Sequence, residues 1–413
     1  MERRRVVITG LGAVTPIGLT AMESWQAVKD GVCGVAPITQ FDPTGMKVQL
    51  AAEVKGFVPE NYMSKPEAKR MARFTQLAVV SAKEALENAG FTLDEAEADR
   101  CGVIVSSGIG GLFLTEAEHD KGKEKGWDRV SPFYIPMGIC NMAAGQIAIH
   151  TGFRGMCSCP VTACTGGTNA VGDAFHYIRD GYADVMLCGG AESAVTPLAI
   201  GAFTSMKALT QNPDPDRASI PFDAERSGFV LGEGAAILLL EELEHAKARG
   251  ARIYAEVVGY GATCDAYHMT APRPDGSGGA KAMEMAIADA GAKPEQVGYI
   301  NAHGTSTPLN DAGETAAVKT VFGDHAYQLA ISSTKSMTGH MLGAAGAVEA
   351  LFCALALQEG FLPATIHYQV PDPACDLDVV PNQGRSADLR YALSNSLGFG
   401  GHNGSLLFKK WEA

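Results

Sequence analysis

Hydrophobic and polar positions follow the same order in two distant parts of the chain. Residues 82–90 combine Ala and Leu with charged residues and end in glycine, which predicts a helix, and residues 101–105 predict a buried strand before a small-residue loop. Residues 282–291 and 297–300 repeat this order of helix, glycine, strand and loop. The repetition predicts an α/β protein made of two related halves; chance similarity between Ala-rich helices is the alternative.

A second repetition involves the segments that follow. A short β-branched run and small residues lead to Cys164, and apolar positions on one side of residues 169–177 predict a helix after it. His340 likewise precedes a small-residue helix that ends before Gly360. We therefore expect Cys164 and His340 at equivalent helix N-termini of the two halves.

The length of the chain also favours a division. It has 413 residues, of which 46% are hydrophobic and 19% charged, whereas one domain usually holds about 100–200 residues. We place the boundary near Gly250, after a charged helix at 241–249 and before a strand at 253–258. The predicted domains are 1–250, which carries the cysteine, and 251–413, which carries both histidine motifs.

Composition and charge exclude several classes of function. No apolar run reaches the roughly 18 residues of a membrane span, and the N-terminal segment lacks the apolar core of a secretion signal. The ten cysteines include the close group Cys157, Cys159 and Cys164 but form neither a disulfide framework nor a C-x-x-C pair. The net charge of −13 argues against a nucleic-acid partner. We expect a cytoplasmic protein with reduced thiols that binds no membrane.

Cys164 is the first candidate for chemistry. A cysteine at a strand-to-helix corner has free backbone N–H groups and the positive end of the helix dipole near its sulfur. Both favour the thiolate, which attacks carbonyl carbon, and the small neighbouring residues leave room for a substrate. A buried structural cysteine is the alternative.

Two histidine motifs downstream favour a functional site. Residues 299–307 form an apolar strand that ends in His303 on a glycine turn, and residues 332–346 carry Lys335 five residues before His340. A Cys/His combination also serves cysteine hydrolases, and Cys164, His303 and His340 together could ligate zinc. These two alternatives stay open from the residues alone.

The three motifs, in this order, resemble those of the β-ketoacyl-[acyl-carrier-protein] synthases, the condensing enzymes of fatty-acid synthesis. The motifs are the segment around Cys164, the sequence HGTST from His303, and the sequence KSMTGH that ends at His340. The resemblance extends from Val7 to Gly401 and is closest to the synthase II type. It implies the thiolase-like fold, a layered αβαβα arrangement of two related halves.

The resemblance implies a decarboxylative Claisen condensation with no cofactor or metal. Cys164 would take an acyl group from acyl carrier protein, with the backbone N–H groups of Cys164 and Phe399 binding the thioester oxygen. His303 and His340 would then bind the carbonyl oxygen of malonyl-carrier protein as neutral donors. Phe399 would act as a gate, and Gly400 beside it lets the backbone approach the substrate.

The resemblance also suggests substrate contacts. Thr305 and Thr307 would hydrogen-bond the pantetheine amides of the carrier protein, or else stabilise their own turn. Ile109 and Phe203 match positions that line the acyl pocket in this family.

Lys335 is expected to pair with Glu349 on the helix after His340. Its positive charge would keep the histidines neutral. It acts either in the chemistry or as part of an orienting salt bridge.

Two positions depart from the pattern of the family or from ordinary strand composition. The family's usual Gly-Gly-Thr-Asn is Gly-Gly-His-Asn here, and we interpret His402 as a variant rather than a third catalytic histidine. Pro160 lies in the predicted strand before Cys164, where its missing N–H predicts an interrupted ladder.

The family implies two partners, a second copy of the chain and the acidic acyl carrier protein. Because this chain is itself acidic, docking of the carrier requires a local basic patch. The densest basic segment contains Lys65, Lys69, Arg70 and Arg73, and helical spacing would place three of these cations on one face. A solvated helix face is the alternative.

Three functional alternatives remain. A polyketide chain-length partner would lack the nucleophile, so Cys164 counts against it. A synthase I enzyme and the ketosynthase subunit of a polyketide system stay open.

Overall fold

The structure is a computed structural model that describes residues 3–412. The strands of this part of the chain are β1 (Val6–Val14), β2 (Ala36–Pro37), β3 (Leu50–Ala51), β4 (Cys101–Ser106), β5 (Cys157–Ser158), β6 (Val185–Glu192), β7 (Gly234–Glu242), β8 (Ala255–Cys264), β9 (Val297–Asn301), β10 (Ala330–Ser332), β11 (Phe361–Leu362), β12 (Arg385–Ser386), β13 (Tyr391–Gly398) and β14 (His402–Lys410). The α-helices are α1 (Ala21–Asp30), α2 (Lys65–Ala68), α3 (Arg73–Ala89), α4 (Leu112–Lys125), α5 (Tyr134–Gly138), α6 (Met142–Thr151), α7 (Gly166–Arg179), α8 (Pro197–Ser205), α9 (Pro215–Ala218), α10 (Leu243–Ala248), α11 (Ser277–Asp289), α12 (Pro308–Phe322), α13 (Lys335–Thr338) and α14 (Ala345–Glu359).

Ten strands form one mixed sheet in the order β10-β9-β13-β14-β8-β1-β7-β6-β4-β5. The order is symmetric about the antiparallel pair β1–β8. On one side β7 is antiparallel to its neighbours and β4 is parallel to β5 and β6. On the other side β14 and β9 have the same relations to their neighbours. Five strands on each side therefore repeat one topology.

Alternate residues of the central strands pack against different helices. In β7, Ala236, Leu238 and Leu240 belong to the same buried cluster as α7 and α14. The intervening residues Ile237 and Leu239 pack in a second cluster with α3. Since side chains alternate between the faces of a strand, the sheet has helices on both sides.

The helices α7 and α14 form the central layer. Each of them contacts strands from both five-stranded halves of the sheet. By contrast, α3 covers β1 and β7 of one half, and α11 covers β8 and β14 of the other. The resulting order of layers is the predicted αβαβα arrangement. In the described part of the chain, one window, Leu342–Glu359, is long and apolar enough to cross a membrane, but 89% of it is buried inside the protein. Such burial is expected for a helix that is hydrophobic all round and lies in a core.

The predicted repeats correspond to observed elements, with shifted boundaries. The helix and strand of the first copy are α3 and β4, and those of the second copy are α11 and β9. The predicted helix at 241–249 is wrong at its start, because Glu241 and Glu242 end β7 and α10 begins at Leu243. The buried Glu241 carboxylate is tied to Arg249, His245 and Thr9, which makes a charged strand end tolerable. The position of the domain boundary stays a prediction.

Pro160 has the effect that the sequence predicts. The strand β5 contains two residues and ends before Pro160. The Pro160 carbonyl accepts a hydrogen bond from Ser106 Oγ at 2.7 Å instead of a ladder bond.

Candidate active site

The structure brings the three predicted reacting groups together. Cys164 Sγ and one ring nitrogen each of His303 and His340 lie within 4.8 Å of one another, and all three residues are buried. Cys164 lies in a short 3-10 turn ahead of α7. His303 follows the end of β9, and His340 follows α13. Three separate loops therefore converge on one point.

The backbone corrects the predicted equivalence between Cys164 and His340. Ala163 has φ of 50° and Leu342 has φ of 44°. Each is the first residue of a 3-10 turn that leads directly into a helix of the central layer, α7 or α14. Because these two unusual conformations match, the position equivalent to Cys164 is Gly343. His340 lies three residues earlier, where its N–H donates to Val230 O at 2.7 Å.

The two histidines are held by their backbones, and their rings are left free for a ligand. The N–H of His303 and the N–H of Gly304 donate to the two carboxylate oxygens of Glu314 at 2.9 and 2.8 Å. Nδ1 of His303 and both ring nitrogens of His340 are buried without a hydrogen-bond partner among residues 3–412. Buried polar atoms in such a state are expected to pair with a substrate.

Burial lowers the pKa of both imidazoles well below 6.5, and the nearby Lys335 ammonium lowers it further. The rings are therefore neutral at physiological pH, and each has one N–H to donate and one nitrogen to accept a proton. This agrees with the neutral donors that the sequence led us to expect.

Burial opposes the thiolate that the helix N-terminus is expected to favour at Cys164. Burial raises the pKa of the Cys164 thiol to about 12, although Lys335 and a hydrogen bond from the Phe399 N–H both favour the thiolate. Desolvation outweighs these two influences because the sulfur is enclosed. The thiol must therefore lose its proton during attack, and a neutral imidazole within 4.8 Å is available to accept it.

Lys335 forms the predicted ion pair with Glu349, and both side chains are almost fully buried. Burial raises the pKa of Glu349 to about 7 against the opposing effect of the ammonium. The Lys335 ammonium also acts electrostatically on Cys164 and both histidines. The same buried cation therefore pairs with Glu349 and shifts the pKa values of the reacting groups.

The glycine-rich turn at Phe399 lies directly against the cysteine. A Cβ added to Gly398 would lie 2.8 Å from Thr165 Oγ1 and 3.2 Å from Cys164 N, so a larger residue would have to displace its neighbours. Gly400 has φ of 86°, and its N–H donates to Met269 O at 2.8 Å. It lies in the turn rather than in the wall of the substrate cavity.

His402 begins β14, outside the group of three reacting residues. Its carbonyl accepts a hydrogen bond from Thr165 Oγ1 at 3.2 Å. Its interpretation as a variant stays a prediction.

A cavity of about 520 Å³ opens onto Cys164 and both histidines. Ile109 and Phe203, which the resemblance assigns to the acyl pocket, both line it, and so do Thr305 and Thr307. The Phe203 ring lies 6.5 Å from the Phe399 ring. The hydroxyls of Thr305 and Thr307 are 2.9 Å apart, so the turn-stabilising bond is present at the cavity wall.

The buried carboxylate of Glu192 is not among the site residues predicted from the sequence. It accepts hydrogen bonds from the N–H groups of Gly108 at 2.8 Å, Ile109 at 3.2 Å and Gly343 at 3.1 Å. Glu192 thus connects the pocket loop to the turn before α14. The signal available in the sequence was a lone glutamate at the end of an apolar strand, where charge is rarely buried without partners.

The basic segment is only partly as predicted. The helix α2 ends at Ala68, so Lys69 and Arg70 lie in a turn, and Arg73 begins the separate helix α3. The guanidinium of Arg73 donates to the buried Glu233 carboxylate at 2.8 Å and is not a free surface charge. Lys65, Lys69 and Arg70 are exposed. The predicted common helical face is therefore wrong.

Cys164, His303 and His340 are also close enough to one another to ligate a single metal ion. The Lys335 ammonium acts electrostatically on all three, and a fixed positive charge there opposes a divalent cation. Metal analysis of the purified protein would decide this alternative.

Comparisons with known proteins agree with the motifs. The profile of the β-ketoacyl synthase N-terminal domain matches residues 3–246, and that of the C-terminal domain matches residues 254–369. A 3-oxoacyl-[acyl-carrier-protein] synthase 2 of Synechocystis sp. is 52% identical over 413 residues, which cover 100% of this chain and 99% of the relative. Its namesake from Staphylococcus aureus is 51% identical over 412 residues, with 100% of both chains covered.

Solved structures show the same fold. One similar chain comes from the structure of a type II polyketide synthase acyl-carrier protein in complex with its ketosynthase. It matches this chain with a TM-score of 0.92 and 36% identity, and 100% of both chains is covered. A β-ketoacyl synthase from Burkholderia phymatum also has a TM-score of 0.92, with 36% identity over 99% of this chain and 100% of its own. The chain belongs to the β-ketoacyl synthase family of condensing acyltransferases and has its thiolase-like fold.

Proposed function

We propose that this protein is an elongating β-ketoacyl-[acyl-carrier-protein] synthase of fatty-acid biosynthesis, of the synthase II type. The observation that carries the proposal is a buried cysteine within 4.8 Å of two neutral histidines, all three of which line a cavity of about 520 Å³. Relatives named 3-oxoacyl-[acyl-carrier-protein] synthase 2, 51–52% identical over the whole chain, support the choice.

In the first stage, Cys164 Sγ attacks the thioester carbon of acyl-carrier protein. A new C–S bond forms, the bond to the carrier sulfur breaks, and the thiol proton passes through the His340 imidazole to the leaving carrier thiolate. The backbone N–H groups of Cys164 and Phe399 bind the oxygen on which negative charge develops.

In the second stage, malonyl-carrier protein binds and its carboxylate leaves as CO2. The electron pair moves onto the thioester oxygen, where N–H groups of His303 and His340 stabilise the enolate. The enolate carbon attacks the acyl-cysteine, the C–S bond breaks, and a proton taken up from solvent restores the Cys164 thiol. The product is a β-ketoacyl thioester two carbons longer.

The test is incubation with acyl-carrier proteins of graded chain length and malonyl-carrier protein, followed by intact-mass analysis. We expect one β-ketoacyl extension per turnover and no acyl adduct on the Cys164→Ala variant. Free carboxylic acid as the main product would support a hydrolase instead. Repeated extension without reduction would support the ketosynthase subunit of a polyketide system.

Carrier-protein docking is proposed at the exposed cations Lys65, Lys69 and Arg70. The S. aureus relative is named for its acyl-carrier-protein substrate, and an acidic carrier needs a local positive patch on a chain of net charge −13. Lys65→Glu with Lys69→Glu should raise the KM for carrier-protein substrates and weaken its salt dependence. The exposed pair Lys247→Glu with Lys281→Glu is the matched control. Equal loss of rate with a coenzyme A thioester would show that the patch supports the fold rather than docking.

We also propose a homodimer. Trp127, Phe133, Ile135 and Ile139 are large apolar residues that are exposed on the single chain, and the two-residue strand β5 lies at an edge of the main sheet. Such a surface is typical of an interface between subunits. Sedimentation should give twice the 43.2 kDa mass of the chain. A monomer at micromolar concentration would contradict the proposal.

Two further predictions from the sequence are kept as proposals. The division into 1–250 and 251–413 is supported by the five main-sheet strands on each side of Gly250. The cytoplasmic location stays a prediction.

A further inference from the structure

A second cluster of potential metal ligands lies outside the residues assigned to the condensation. Cys33 Sγ, a carboxylate oxygen of Asp216 and a ring nitrogen of His367 lie within 4.8 Å of one another. They come from three segments far apart in sequence: the loop after α1, the short helix α9, and the loop after β11. Asp216 is exposed, and Cys33 and His367 are partly exposed, so an ion could enter from solvent.

The spacing of these groups suits a tetrahedral ion. Nε2 of His367 and Oδ1 of Asp216 are 3.5 Å apart. Two ligands at the usual zinc distances of about 2.0–2.1 Å would be separated by roughly 3.4 Å in a tetrahedral site. Nδ1 of His367 is buried and has no hydrogen-bond partner in the described part of the chain. Nε2 is therefore the ring nitrogen that faces Asp216, and the Cys33 thiol donates only a long hydrogen bond, to Pro215 O at 4.0 Å.

The backbone of His367 is held in an unusual conformation. Its φ is 63°, in the left-handed region that non-glycine residues seldom adopt. The His367 carbonyl accepts a hydrogen bond from Arg217 at 2.6 Å, which ties it to the residue after Asp216. This bond links the loop of His367 to the helix α9 that carries Asp216.

We propose that Cys33, Asp216 and His367 form a zinc site with one open coordination position for water. Thiolate, imidazole and carboxylate are the ligand types that zinc accepts, and three protein ligands plus water complete four-coordination. Binding releases the thiol proton of Cys33, which zinc replaces at the sulfur.

The site is connected to the turn that carries Lys335. A residue close in sequence to each ligand forms a hydrogen bond with α13. Next to Cys33, the N–H of Gly34 donates to Met337 O at 2.8 Å, and near Asp216, Ser219 Oγ donates to Lys335 O at 2.7 Å. The N–H of Ile366 donates to Ser336 Oγ at 3.1 Å. A bound ion would clamp these three segments together and so brace α13.

The test uses Co²⁺ alone as the probe, because thiolate–cobalt coordination gives a near-ultraviolet charge-transfer band. The full-length protein is stripped with a chelator and titrated with Co²⁺, and Zn²⁺ is then added to displace it. We expect a saturable band at one ion per chain. The band should be lost in Cys33→Ser and at least tenfold weaker in affinity in His367→Asn, since Asn tolerates a positive φ.

Two controls separate this site from the rest of the protein. Cys264→Ser removes an exposed thiol elsewhere, and Cys164→Ala removes the nucleophile; both should keep the band. Metal-free circular dichroism and thermal unfolding of Cys33→Ser check that it is folded. A band that persists in Cys33→Ser, a band lost in Cys164→Ala, or no band in the wild type with excess Co²⁺ would each overturn the proposal.

Discussion

Substitutions in the buried Lys335–Glu349 ion pair can show whether Lys335 is needed for the stability of the fold, for activity, or for both. Burial raises the pKa of Glu349 from 4.5 to about 7 although the ammonium is in contact with it. Since one pKa unit corresponds to about 1.4 kcal/mol, the carboxylate has lost roughly 3 kcal/mol of solvation that Lys335 does not return. We predict that Lys335→Met leaves this group unpaired and lowers the free energy of unfolding by about 3–5 kcal/mol at pH 8.

The loss should depend on pH in a defined direction. In Lys335→Met the pKa of Glu349 stays above 4.5, because burial is unchanged and its largest opposing influence is removed. A carboxyl group whose folded-state pKa is raised contributes stability below its unfolded pKa and loses it as the pH rises toward the folded pKa. The variant should therefore lose stability from pH 5 to pH 7, by up to about 1.4 kcal/mol for each pH unit.

The assay is denaturant unfolding of the wild type, Lys335→Met, Glu349→Gln and the double variant at pH 5 and pH 8, at one protein concentration. The double variant should recover most of the stability, because no buried charge remains. Its activity should stay low, because the ammonium adds to the burial that keeps His303 and His340 neutral, and it favours the Cys164 thiolate. A single Lys335→Met variant as stable as the wild type at pH 8 would refute the reasoning. Recovery of both stability and activity would make Lys335 a structural residue.

Three further substitutions test the surroundings of the site. Gly398→Ala should reduce acyl transfer at least tenfold by displacing the turn at the cysteine, while the helical control Gly201→Ala, whose Cβ meets nothing within 4 Å, should be neutral; equal rates would remove the close-approach argument. Glu192→Gln should lower the free energy of unfolding by roughly 1–3 kcal/mol, because the amide cannot accept hydrogen bonds from all the N–H groups that donate to the carboxylate. An unchanged melting temperature in thermal unfolding would contradict this. Arg73→Ala should cost about 3–5 kcal/mol by removing the cation that pairs with the buried Glu233 carboxylate, and unchanged stability with a raised KM for carrier protein would return Arg73 to the docking patch.

The reacting groups could be predicted because their signals are local. Cys164, His303 and His340 each lie in a small-residue turn beside a regular element, and the order of the motifs is visible in the sequence. The pairing of Lys335 with Glu349 followed from a buried cation that needs an anion. Sheet symmetry was visible in outline, through the repeated order of helix, strand and loop.

The predictions that were wrong or missing concern residues whose environment is set by contacts distant in sequence. Helical spacing placed Arg73 with the surface cations, but its true partner is Glu233, 160 residues away. Glu192 was missed because its partners come from loops distant in sequence. The thiolate prediction for Cys164 counted the helix dipole but not the depth of burial, which only the packed structure supplies.

The most direct test of the account is a single-turnover comparison of the wild type with His303→Ala. Acylation of Cys164 is followed by intact mass after mixing with acyl-carrier protein, and decarboxylation is followed by CO2 release from malonyl-carrier protein. We expect His303→Ala to acylate Cys164 within about threefold of the wild-type rate but to lose decarboxylation by at least about 100-fold, because a donor to the developing oxyanion is removed. Parallel loss of both steps in the folded variant would contradict the account and make His303 the activator of the cysteine.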